Sequence, residues 1–210
     1  RRQRQMCIRD RYIIDSLCYW ASEYHIDGFR FDLMGVLDIE TLNEARKALL
    51  KINPDIIMYG EGWTGGESTL PESERGMKIN APRTPGIGMF SDDIRDAVKG
   101  HVFYMDELGF VNGAADRGEE LKQAVTCAKW AKSPMQSINY LSCHDNYTLW
   151  DRFIISNSHE SEEMRIRMNK LAAAILFTAQ GIPFFLHGEE FARTKISEAD
   201  GAPCLLYTSP

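Results

Sequence analysis

Gly28-Phe29-Arg30-Phe31-Asp32 is the stretch of sequence that decides the fold. Its residues are typical of a short β-strand, and successive side chains of a strand point to opposite faces of the sheet. We therefore expect Arg30 and Asp32 on one face and the two phenylalanines on the other. An arginine beside an aspartate favours the ionised carboxylate, which is the form that a carboxylate nucleophile requires. Alone, the pattern is equally compatible with an ion pair on the surface.

Two later segments are also predicted strands that end on a carboxylate. Residues 56–63 form an apolar run that ends on Glu61 between two glycines, and residues 138–146 form another that ends on His144-Asp145-Asn146. Three predicted strands thus each carry a carboxylate at the C-terminal end. In a parallel barrel the active site lies at that end of the strands, and its catalytic residues come from several of them.

Helical patterns separate these strands. The second predicted helix begins at Asp38, a good N-cap, and ends at Asn53 before a proline. Strands that alternate with helices predict a mostly parallel α/β fold. The other predicted helices span residues 12–24, 92–99, 119–130 and 160–180, and two further strands are expected near residues 87–90 and 182–186.

Composition and charge exclude several classes of function. The chain is 44% hydrophobic and 26% charged with a net charge of −6, which argues against nucleic acid and anionic membranes as partners. The sequence contains no run of 18 apolar residues, so we expect no membrane span. No signal peptide is recognisable, and a cytoplasmic and a secreted location both stay open. The five cysteines show no CxxC pair and no metal-ligand spacing, so we predict no metal site from them.

The three motifs resemble conserved regions of the α-amylase superfamily, glycoside hydrolase family 13. Within it, the flanking sequences Tyr24-His25-Ile26-Asp27, Tyr59 to Gly66 and Gly88 to Gly100 are similar to those of type I pullulanases. The resemblance implies a partial TIM (β/α)8 barrel, approximately strands four to eight, with residues 12–200 as the C-terminal part of the catalytic barrel. The ends, residues 1–11 and 201–210, resemble translated sequencing-adapter peptides, so we expect them to be non-native.

The resemblance also implies a role for each residue of the candidate site. Asp32 would be the nucleophile, Glu61 the general acid/base, and Asp145 a third carboxylate that stabilises the transition state. Four further residues are expected to contact or orient the groups at the substrate site: Arg30, Trp63, His144 and Asn146.

The implied activity is that of a retaining glycoside hydrolase that cleaves α-1,6 branch bonds in pullulan, starch or glycogen. The implied partner is thus an α-glucan polysaccharide or oligosaccharide. An isoamylase, an α-amylase or a branching enzyme is the alternative, as is a non-catalytic member of the superfamily. Non-catalytic members lose the carboxylates that this chain keeps. No cofactor is required, although calcium occurs in some members and stays an option for the parent enzyme.

Overall fold

The computed structural model describes residues 2–196, with side chains from residue 8 onwards, and divides them into two compact units. Within this range, the first unit comprises residues 2–90 and 130–136, and the second comprises residues 91–129 and 137–196. None of the helices in the described range is long and apolar enough to cross a membrane. The segment 201–210, expected to be non-native, lies outside the described residues.

The first unit is built on parallel strands. Strand β1 (Gly28–Phe31) pairs in parallel with β2 (Ile57–Gly60), and β2 pairs in parallel with β3 (Ile87–Ser91). Arg30 of β1 lies opposite Tyr59 of β2. The long segment that follows β2 contains short 3-10 turns at Glu72–Glu74 and Lys78–Arg83. In chain order the elements are α1 (Arg2–Glu23), β1 (Gly28–Phe31), α2 (Ile39–Leu49), β2 (Ile57–Gly60) and β3 (Ile87–Ser91).

The core of the first unit follows the predicted alternation of β1. Phe29 and Phe31 pack against buried residues of α2, β2 and β3, while Arg30 points to other polar groups. Helix α2 begins as predicted, because the Asp38 side chain accepts a hydrogen bond from the Thr41 amide at 2.7 Å. The face of α2 that is buried consists of Ile39, Thr41, Leu42, Ala45 and Leu49.

The second unit joins two parallel strands through helices. Strand β4 (Ser137–Tyr140) pairs in parallel with β5 (Ile182–Phe184), and two helices connect them. A second hydrophobic core contains Ile94, Leu141 and Phe153, each almost completely buried. In chain order the elements are α3 (Asp92–Lys99), α4 (Gly118–Val125), β4 (Ser137–Tyr140), α5 (Leu149–Ser156), α6 (Glu162–Thr178) and β5 (Ile182–Phe184).

Helix α5 is an element that the sequence pattern did not predict. Thr148 caps it, since its hydroxyl oxygen accepts the Asp151 amide at 3.1 Å. The helix is only eight residues long and rich in aromatic and β-branched residues, which are weak helix formers. Its buried side chains, including Phe153, supply the stability that intrinsic propensity does not.

Three predicted helix bounds were wrong. Helix α2 ends at Leu49 and α4 at Val125, each short of the predicted end. Shortly after α4, Cys127 adopts a left-handed conformation (φ 117°) that cannot continue a helix. Helix α1 begins at Arg2, ten residues before the predicted start at Tyr12. In this added part of the helix, Ile8 is apolar but 65% exposed. The non-native origin of residues 1–11 stays a prediction.

Candidate active site

Arg30 joins two of the predicted catalytic carboxylates in the first unit. Its guanidinium donates one hydrogen bond to Asp32 Oδ1 and another to Glu61 Oε1, the second at 2.7 Å. A carboxylate oxygen of Asp32 lies within 4.8 Å of one of Glu61. The guanidinium carbon also lies 5.2 Å from the ring centroid of Phe90. Arg30 therefore offsets part of the repulsion between two negatively charged carboxylates.

The two carboxylates differ in their surroundings. The side chain of Asp32 is 65% exposed, whereas that of Glu61 is only 5% exposed. Both oxygens of Glu61 accept hydrogen bonds, because Arg30 reaches Oε1 and the Leu33 amide donates to Oε2 at 2.8 Å. One carboxylate is thus open to a ligand, and the other is held by fixed donors.

The turn after β1 provides one of these donors. Leu33 adopts a left-handed conformation (φ 44°, ψ 46°), which directs its amide to Glu61. Two residues later, the Gly35 amide donates to the carbonyls of Glu61 and Trp63, at 3.2 and 3.1 Å. The backbone that follows β1 therefore fixes both the side chain and the main chain at the end of β2.

Two glycines permit this close approach. A Cβ atom on Gly35 would lie 2.5 Å from the Trp63 carbonyl oxygen, and one on Gly60 would lie 2.5 Å from the Phe31 carbonyl oxygen. Neither distance is compatible with a side chain, and in both cases the obstructing atom belongs to the backbone. These glycines bring the ends of β1 and β2 together.

Trp63 lies next to a lysine that the sequence analysis did not select. The ammonium of Lys78 is 6.0 Å from the ring centroid of Trp63 and 6.0 Å from that of Trp130. The Lys78 amide also donates to the Gly62 carbonyl at 3.0 Å. Trp63 is half-buried, and this neighbour can hold its ring through a cation–π contact.

The remaining predicted site residues lie in the second unit, on the turn that follows β4. The side chains of His144 and Asp145 are 38% and 51% exposed, and His144 Nε2 lies 3.5 Å from Asp145 Oδ1. Asn146 adopts a left-handed conformation (φ 59°). The turn is anchored at Ser142, whose hydroxyl accepts the Leu149 amide at 2.8 Å. The side chains of His144 and Asp145 are therefore both available to a ligand.

Comparison with known proteins identifies the group to which these features belong. No family model matches the chain. A pullulanase of Bacillus subtilis (strain 168) is 40% identical over 192 residues, which cover 88% of this chain. A crystal structure of pullulanase from Anoxybacillus sp. LM18-11 complexed with maltotetraose is 46% identical and superposes with a TM-score of 0.87 over 92% of this chain.

The chain matches one segment of the pullulanases. A second crystal structure, of type I pullulanase from Bacillus subtilis complexed with maltose, is 38% identical with a TM-score of 0.87 over 93% of this chain. The chain corresponds to 27% of the length of the Bacillus subtilis relative and to 28% of the Anoxybacillus one. Its fold is accordingly a partial (β/α)8 barrel that contains five parallel strands with their helices.

Proposed function

We propose that this chain is part of a retaining glycoside hydrolase that cleaves α-1,6-glucosidic branch bonds in pullulan, starch or glycogen. The observation that carries the proposal is the Arg30-bridged carboxylate pair, with oxygens of Asp32 and Glu61 within 4.8 Å of each other. Retaining enzymes separate their two carboxyl groups by about 5–5.5 Å, whereas inverting enzymes need about 6.5–9.5 Å for a water molecule. The pair therefore favours retention.

The exposures of the two carboxylates support their assigned roles. Asp32 is the nucleophile: it is exposed, and Arg30 orients it towards the sugar carbon. Glu61 is the general acid/base, buried beside it. Both Glu61 oxygens accept hydrogen bonds, one from Arg30 and one from the Leu33 amide. When Glu61 carries the proton that it donates to the leaving group, one of these two hydrogen bonds is lost or weakened. In the second step Glu61 takes a proton from water.

The substrate contacts follow from the remaining residues. Asp145 and His144 are exposed hydrogen-bonding groups suited to sugar hydroxyls, and Asn146 belongs to the same turn. Trp63 offers an aromatic face for a sugar ring. The α-glucan substrate is also supported by the pullulanases with maltotetraose and maltose bound. We assign Asp145 as the third carboxylate, which grips the sugar at the transition state.

The test uses a full-length enzyme, because the chain spans only part of its relatives. We replace the matching segment of full-length Bacillus subtilis pullulanase with residues 12–196 of this chain and call the product the chimera. We expect the chimera to release maltotriose from pullulan with retention at the anomeric carbon. Release of panose or isopanose would overturn the α-1,6 assignment, and inversion would overturn the assigned mechanism.

Two substitutions separate the roles of the carboxylates. In the chimera, Asp32→Asn should reduce turnover to background, because a neutral amide cannot attack. Glu61→Gln should be as severe on pullulan but milder on an α-glucosyl substrate whose leaving group needs no proton. The matched control is Asp55→Asn, at an exposed aspartate of the first unit, which should leave turnover unchanged. If Asp32→Asn turns over pullulan as fast as the unsubstituted chimera, the proposed mechanism is wrong.

A further inference from the structure

The turn that carries His144 and Asp145 needs hydrogen-bond donors for its backbone carbonyl groups. It is a short polar connection after β4 in which Asn146 takes a left-handed conformation. Left-handed backbone is energetically unfavourable for residues other than glycine, although asparagine tolerates it better than most. Several carbonyl oxygens of such a turn point inwards and need donors.

Lys195 supplies these donors. Its ammonium lies 2.9 Å from the Asn146 carbonyl oxygen and 3.4 Å from that of Cys143, and it also donates to the carbonyl of His144. A lysine ammonium has three N–H donors, so these three carbonyls use its full capacity. Lys195 is only 8% exposed, although lysine side chains normally extend into solvent. The lysine is thus an internal support of the turn.

The backbone of Lys195 is itself fixed by a buried carboxylate. Asp151 of α5 is completely buried and accepts hydrogen bonds from the Lys195 amide, at 2.8 Å, and from the Thr194 hydroxyl. The Thr148 hydroxyl donates to the Arg193 carbonyl at 2.8 Å. The segment 193–195 is therefore anchored to α5 at several points, and the Lys195 ammonium projects from a fixed base.

We propose that Lys195 is a positioning residue for the reaction: its ammonium sets the conformation of the turn 143–146 and thereby the directions of His144 and Asp145. This inference rests on the proposed function for its catalytic consequence, but the effect on the turn does not depend on it. Lys195 does not itself touch the substrate. Misplacing a group at the active site by about 1 Å through a mutation elsewhere can lower the rate about a hundredfold.

The decisive variant in the chimera is Lys195→Met, which keeps an unbranched side chain only one atom shorter and removes its N–H donors. We expect kcat/KM on pullulan to fall by up to about a hundredfold and amide hydrogen exchange to accelerate in residues 143–147. Lys170→Met, at an exposed lysine of α6, is the matched control and should change neither quantity. Unchanged exchange in residues 143–147 of Lys195→Met would overturn the proposal.

Rescue distinguishes positioning from a general loss of folding. Lys195→Ala leaves a space that a small alkylammonium ion, such as propylammonium, can fill, and we expect it to recover part of the lost kcat/KM. Trimethylpropylammonium has no N–H donor and should give no recovery. If activity is lost without rescue and exchange increases throughout the second unit, Lys195 stabilises the fold only. If the unsubstituted chimera releases no maltotriose while Lys195→Met still loosens the turn, the proposed function fails and the role of Lys195 in the turn stands.

Discussion

At the scale of single residues, Arg30 makes the contacts on which the proposed chemistry depends. It binds two carboxylates at once, one on its own strand and one at the end of β2. A guanidinium can do so because it presents several N–H donors in one plane, whereas an ammonium is a point charge on a flexible stem. The residue type is therefore as important as its charge.

We predict that Arg30→Lys in the chimera lowers kcat on pullulan about a hundredfold or more, since misplacing a reacting group by about 1 Å costs this much. The charge remains, but lysine cannot hold Asp32 and Glu61 together. Arg167→Lys is the control, because Arg167 pairs with Glu163 on the exposed surface of α6. An Arg30→Lys variant with unchanged kcat would show that the bridge is not needed.

A second residue-scale prediction concerns Glu189, which is buried after β5. Burial raises the pKa of Glu189 to about 6, against the opposing effect of Lys99. Burial lowers the pKa of Lys99 itself to about 8. The folded state therefore binds the Glu189 proton more tightly than the unfolded state, whose glutamate titrates near 4.5. Its contribution of about 2 kcal/mol to the free energy of unfolding is present below pH 4.5 and is lost as the pH rises through 6.

The measurement is the melting temperature of the chimera between pH 4.5 and 6.5. Glu189→Gln, which does not titrate, should remove the decrease of melting temperature that Glu189 causes over this window. Glu163→Gln, at an exposed glutamate of α6, should leave the slope as it was. Identical slopes for the unsubstituted protein and Glu189→Gln would contradict the prediction.

At the scale of the elements, polar side chains cap the starts of α2, α5 and α6. Asp38 accepts hydrogen bonds from both the amide and the hydroxyl of Thr41, at 2.7 and 2.8 Å. Thr148 and Ser161 cap α5 and α6 through the amides three residues later. Because α2 contributes buried side chains to the first core, its start also affects the packing beneath β1 and β2.

We predict that Asp38→Ala destabilises the fold by about 1 kcal/mol, the usual cost of losing an N-cap side chain. Asp38→Asn keeps an oxygen acceptor for the Thr41 amide and should cost less. The free energy of unfolding of the chimera, measured by urea denaturation, compares the two variants. If Asp38→Ala and Asp38→Asn lower the free energy of unfolding equally, the charge of Asp38 is responsible rather than its capping hydrogen bond.

At the scale of the whole molecule, the chain carries features of an incomplete sheet. Among the described residues, β1 pairs only with β2, and β5 pairs only with β4. Open strand edges are sites of association, and closed barrels remove them. Large apolar side chains are also exposed in both units, among them Tyr12, Ile57, Ile79, Phe103 and Phe177.

We therefore predict that the isolated 210-residue chain releases no maltotriose from pullulan and associates at micromolar concentration. Light scattering coupled to size-exclusion chromatography measures its mass, and reducing-sugar release measures its activity. The chimera, which supplies the remaining length of the relatives, is the control for both. A monomeric chain with activity near that of the chimera would show that this segment suffices.

The sequence by itself determined the strands and the residues at their ends. Alternation in β1 predicted that Arg30 and Asp32 share a face, and both the pair and the packing of the phenylalanines are as predicted. Capping predicted the start of α2 at Asp38. These predictions succeed because each depends on neighbours in the chain, whose geometry the backbone fixes locally.

Only the tertiary structure decided which distant groups hold these residues. The predicted helix 12–24 includes Tyr24, which lies just beyond α1 and is exposed, whereas Ala21 within α1 is buried. The Leu33 amide that reaches Glu61 and the Lys195 ammonium beneath the turn 143–146 also escaped the sequence analysis. No periodicity or motif marks a backbone amide or a single loop lysine as a donor. Their partners lie 28 and about 50 residues away in the chain, so only folding brings them together.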